Sequence, residues 1–249
     1  MSLYTFGSGT MFGRPTGVSY PTPTRFGVLQ EAQVDISATT KSLVGGQQYP
    51  VAVARSEAKI ECKAKYGRFS GRAFSDLFFG ETLVTSGLPV IANGEAAIVP
   101  SSTPFTVVVA NAASFLSDWG VINAATGIPL TRVESSPATG QYSVVEATGT
   151  YTFAEADAGK ALLISYQYTA TTGQGFTINN QLQGVSPTFE VLLEQKYGAG
   201  KMNLHLYSCC SSKLSFPFKQ GDFNIPEFDF SAMANAADIV GVMWFSEVS

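Results

Sequence analysis

Charge is scarce in this chain. Only 14% of its 249 residues are Asp, Glu, Lys or Arg, against roughly 25% in ordinary soluble domains. That deficit suits a surface largely covered by copies of itself. Histidine is reduced to His205. No GxSxG elbow accompanies it, so a nucleophile–histidine–carboxylate triad has no visible basis. No GK[ST] phosphate loop appears, and GSG (7–9) and GAG (198–200) are too short to cradle a phosphate. Carboxylate pairs such as Glu190 with Glu194 read as solvated or interface faces. No enzyme activity, cofactor or metal is expected. Cysteine is limited to Cys62, Cys209 and Cys210. With His205 they form the only thiol-rich ligand set, and no CxxC or HxxxH spacing supports zinc. They read as free thiols packed as small hydrophobes in a reducing compartment. No apolar run reaches the 18 or so residues of a membrane span, so membrane insertion is not expected. The first residues lack the charged start and apolar core of a secretory signal, so the chain is expected to stay in the cytoplasm where it is made.

What fills the deficit is Gly (24), Pro (12), small polar residues and aromatics, a composition that suits an all-β protein. Segments 1–27, with Tyr4, Phe6, Phe12 and Tyr20 among Gly and Pro, read as an extended N-terminal arm whose aromatics dock on a neighbouring subunit. Residues 28–100 and 171–249 read as one β-sandwich, interrupted at 101–170 by short strands at close spacing that form an inserted Ig-like β region.

Four of the fifteen basic residues fall in KIECKAKYGRF, 59–69. Lys59, Glu61, Lys63 and Lys65 alternate with Ile60, Cys62, Ala64 and Tyr66. Strict alternation marks a half-buried strand with one charged face. In PEFDFS, Glu227 and Asp229 alternate with Phe228 and Phe230, a strand face of opposite sign. The Lys face is expected to meet such an acidic face, within a subunit or across a seam. An inter-subunit charge match of Lys59, Lys63 and Lys65 with Glu227 and Asp229 is expected to set partner and register. Immediately after, the period changes. Phe69, Ala73, Phe74, Leu77 and Phe78 share one helical face, with Ser70 as N-cap, Gly80 as C-terminal stop and an Arg72–Asp76 pair. The helix packs that face on the sheet.

The order YPTPTRFGVLQEAQVDIS, KSLVGGQQYPVAVARSEAKIECKAKYGRFSGRAFSDLFFGET and the late GDFNIPEFDFSAMANAADIVG resembles the major tail tube proteins of long-tailed bacteriophages. The resemblance implies a tube-forming β-sandwich or barrel with one packed helix, in six-membered rings that stack around a lumen through which double-stranded DNA passes without specific binding. It implies a homo-oligomer, a tape-measure protein and a tail terminator as partners, and a place in the virion tail after assembly in the host cytoplasm. Lys41, Leu43, Gly45, Gly46, Gln48, Tyr49 and Pro50 would then belong to the loop bridging stacked rings, the first 25 residues to an inter-ring arm, and Ser70–Phe79 to the helix. The basic strand is expected to face away from the lumen, where phosphate contacts summed over many rings would trap DNA. Two other readings stand beside it: a capsid decoration protein, and an Ig-like carbohydrate-binding module.

Overall fold

The computed structural model describes residues 6–68 and 70–247, and the chain is mainly β. In chain order the elements are β1 (Thr10–Pro15), β2 (Thr24–Arg25), β3 (Leu29–Val44) and β4 (Pro50–Tyr66). Helix α1 begins at Gly71–Ala73 and continues through Phe74–Phe79. Then come β5 (Leu88–Ile98), β6 (Thr106–Val108), β7 (Phe115–Asn123), β8 (Thr131–Arg132), β9 (Gln141–Val145), β10 (Thr150–Phe153) and β11 (Ala161–Ala170). The chain closes with β12 (Thr188–Tyr197), β13 (Gly200–Ser215), β14 (Glu227–Ala232) and β15 (Gly241–Glu247).

Two compact units result: Met1–Leu83 with Phe176–Ser249, and Val84–Gly175. In the first, an antiparallel sheet runs β2-β1-β12-β13-β14-β4-β3, with β15 also on β13. Met11 of β1, Cys62 and Ala64 of β4, Val191 of β12, Leu206 of β13 and Phe228 of β14 share one buried cluster. Strands far apart in the sheet order therefore meet through their apolar faces, so the sheet curls around its own core. Ser8 Oγ donates to Leu29 O at 2.5 Å, tying the two ends of the order together.

Helix α1 plugs this core. Ser70 caps it by accepting from the Ala73 N–H, and Ala73, Phe74 and Leu77 are buried. The last turn is wider than the expected α-helix: over Phe74–Phe79 the backbone is π-helical, and the Gly80 N–H reaches Ser75 O, an i→i+5 bond. Phe74 meets Phe216 edge-on at 4.8 Å, and Phe78 meets Phe228 at 6.3 Å. Gly13 of β1 lies directly beneath: a Cβ there would stand 2.5 Å from Leu77 Cδ1 and 3.3 Å from Phe26 Cε2, so a larger residue would force these buried side chains to shift.

The second unit is a two-sheet sandwich, β6-β10-β9-β8 against β5-β11-β7, around Val121, Tyr142, Tyr151, Phe153, Ile164 and Tyr166. Asp118 fastens the sheets internally by accepting from Tyr142 Oη at 2.7 Å and Tyr151 Oη at 2.8 Å.

Two segment boundaries differ from the sequence reading. The insertion starts at 84, not 101, and ends at 175, not 170. β5 pairs along β11, and reciprocal hydrogen bonds between Val84 and Gly175 close the base of the unit. The 1–27 arm is also corrected from Thr10 onward. β1 pairs with Glu194–Phe189 of β12, β2 pairs with β1, and Met11 and Phe26 are buried in the chain's own core. Alternation within the short run TMFGRP is masked by its glycine and proline, so the sequence pattern does not mark it as a strand.

Candidate assembly surfaces

β3 and β4 pair into one antiparallel ribbon of 16 and 17 residues, about 50 Å long at roughly 3.3 Å per residue. Their core-side residues Ala32, Val34, Cys62, Ala64 and Tyr66 join the sheet near one end. Beyond that the ribbon runs free: every residue from 35 to 59 is exposed. Lys41 and Leu43 lie in β3, Gly45, Gly46, Gln48 and Tyr49 form the tip, and Pro50 opens β4. Two strands exposed on both faces are marginally stable alone, and this pair carries apolar side chains on both. Val51 (72% exposed) and Val53 (60%) lie on one face, Leu43 lies on the other, and Tyr49 at the tip is 82% exposed. Strand direction puts this tip at one end of the sheet and the β13–β14 loop at the other. That loop presents Phe218 and Phe223, each 87% exposed.

The charged faces come together within one chain, which corrects the inter-subunit assignment. β14 pairs with β4 so that Glu227 lies opposite Lys65 and Asp229 opposite Lys63. Lys63 Nζ is 3.0 Å from Glu227 Oε2, and Lys213 Nζ is 2.8 Å from Glu227 Oε1. Lys65 turns to Glu31 of β3 at 2.5 Å, and Lys59 pairs with Glu61 of its own strand at 3.1 Å rather than with β14. Hydrogen bonds from Lys213 and then Lys63 hold the Glu227 carboxyl below its ordinary value. Glu31 and Lys213 were missed at the sequence level, although the parity of Glu31, Gln33 and Asp35 in LQEAQVDIS marks the same polar face.

The aromatic candidates separate. Ala73, Phe74 and Leu77 are core and Phe78 is half-buried, while Phe69 lies outside the described residues. Tyr4 also lies outside them. Phe6 is exposed with its ring 5.9 Å from Tyr197, Phe12 is half-buried in β1, and Tyr20 is fully exposed. The last of the closing strands, β15, is not singled out as a surface by sequence reasoning: Val242, Met243, Trp244 and Phe245 are all exposed on it, and among the described residues it pairs only with β13.

His205 Nε2 sits 3.2 Å from Glu190 Oε2, which also receives Arg14 at 2.6 Å. This is a cross-strand polar cluster on the outer side of β1, β12 and β13 with no nucleophile in it. Burial, and secondarily Asp35, pushes the Cys62 thiol up to about 12, and burial raises Cys209 as well. Both are protonated, inert core thiols. Among the described residues no three His, Cys, Asp or Glu side chains are grouped to hold a metal ion, and no helix is long and apolar enough to cross a membrane. No protein-family model matches this sequence, and no curated protein matches it.

Proposed function

We propose that this chain is a structural subunit that assembles with copies of itself into stacked rings, forming the tail tube of a long-tailed bacteriophage and the conduit for its DNA. The observation that carries the reading is the β3–β4 ribbon, whose outer half is exposed on both faces and still bears Leu43, Val44, Tyr49, Val51 and Val53. Exposed apolar surface of this kind marks an interaction site, and in a homopolymer the next copy covers it. The in-chain charge pairing fits the same role. Lys63, Lys65 and Lys213 are each matched by a carboxylate, so the basic strand offers few free cations to a passing phosphate backbone. Partners are then further copies, a tape-measure protein and a tail terminator, in the virion tail after assembly in the host cytoplasm. Negative-stain microscopy of the purified protein tests the reading. Hollow rods with an axial ring repeat are expected; discrete, non-stacking particles favour a capsid decoration protein and refute the tube.

A further inference from the structure

The sheet β5-β11-β7 has its charges on the wrong side for a solvated surface. Its only ionisable acids or bases of Asp, Glu, Lys or Arg type are Glu95 and Asp118, and both point inward. Glu95 accepts from Tyr166 Oη at 2.6 Å, and Asp118 accepts from two tyrosines. The outer face carries Ile91, Asn93, Leu163, Ser165, Gln167, Ser117, Trp119 and Ile122, with no charge at all.

Its centre is shaped by paired irregularities. Both neighbours of β11 slip register opposite Ser165: Glu95 pairs with Ile164 and Ala92 with Tyr166 on one side, Val121 with Ile164 and Asp118 with Tyr166 on the other. Each slip contains a glycine in the left-handed region, Gly94 (φ 68) and Gly120 (φ 106). Bulges of this kind re-aim side chains and gather at functional sites. Here they bring Asn93 and Trp119 to either side of Ser165. The indole is 64% exposed yet held in place: Trp119 Nε1 donates to Ser117 Oγ at 3.1 Å, and Ser117 Oγ donates to Gln167 Oε1 at 3.2 Å. Ser165 Oγ in turn donates to Asn93 Oδ1 at 3.2 Å and accepts the Gly94 N–H. The amide hydrogens of Asn93 and Gln167 have no partner among the described residues.

We infer that this face is a binding platform for a neutral oligosaccharide, with Trp119 stacking on the C–H face of a pyranose ring and the Asn93 and Gln167 amides donating to its hydroxyls. A flat, fixed aromatic beside unused amide donors matches a ligand that is apolar on its ring faces and hydroxyl-bearing at its rim. The missing charge argues against nucleic acid or an acidic peptide. The inference is independent of tube assembly.

The test is saturation-transfer NMR and calorimetric titration of the full chain with cellohexaose, maltohexaose and chitohexaose. Saturable binding of at least one is expected, insensitive to salt because no charge pair forms. Trp119→Ala should weaken it about tenfold, Trp119→Phe should retain part of it, and Gln167→Ala should weaken it less than Trp119→Ala. The thermal midpoint of each variant should stay that of the parent, since these side chains are not core. No saturable binding at millimolar sugar, or undiminished binding by Trp119→Ala, overturns the platform. So does loss of self-association in Trp119→Ala, which would assign the face to another copy of the chain.

Discussion

Replacing Val51 and Val53 by threonine isolates the role of the ribbon's apolar face. The two valines follow each other on one side of β4, 72% and 60% exposed. Threonine keeps the branched Cβ and the strand preference, so the unassembled chain should lose no more than about 0.5 kcal/mol. At a contact that buries them, each change removes a methyl worth about 0.8 kcal/mol and leaves a desolvated hydroxyl costing about 1 kcal/mol or more. The sum is about 2 kcal/mol per position. One substitution should then raise the critical concentration for assembly about thirtyfold, and the pair up to about a thousandfold. Light scattering against protein concentration reads the threshold, and thermal unfolding of the dilute chain controls for folding. An unchanged threshold in the double variant would show that this face is not the contact.

Other consequences follow from the core and the charge strip. Tyr66 is fully buried with an Oη that finds no partner among the described residues; Tyr66→Phe should therefore stabilise the chain by about 1 kcal/mol in urea titration. Gly13→Ala drives a Cβ to 2.5 Å from Leu77 Cδ1, so a loss of about 2 kcal/mol is expected from overpacking beneath α1, read as a lower thermal midpoint. Glu227 is held below its ordinary 4.5 by Lys213 and Lys63. Its stabilisation is complete above the unfolded-state value and disappears as pH falls through the lower folded-state value. Glu227→Gln should accordingly cost about 1 kcal/mol at neutral pH and almost nothing in acid, and because the pairs are in-chain it should leave assembly intact.

Much of this architecture is legible where a local rule acts alone. The alternation of Lys59 to Tyr66 marks the strand and its polar face because parity depends only on the backbone pleat. Ser70, Gly80 and the Arg72–Asp76 spacing bracket the helix, since caps and i,i+4 pairs are local. What is not legible is decided by partners distant in sequence. β1 becomes a strand because β12, some 180 residues later, offers it an edge. β5 belongs to the insertion because β11 claims it. The Lys face and the Glu227–Asp229 face are recognisable separately, but their meeting in one chain depends on β14 lying between β13 and β4. The valines of the ribbon fall in 41–54, which reads as a loop or open hairpin because Gly45, Gly46 and Pro50 hide how far the two strands continue past the sheet.

Hydrogen–deuterium exchange of residues 35–59, compared between dilute and concentrated protein, tests most directly whether another copy covers the free half of the ribbon. Rapid exchange in the dilute chain and strong protection on assembly are expected. Exchange that stays fast at every concentration, with no larger species forming, would contradict the assembly of this chain through its ribbon.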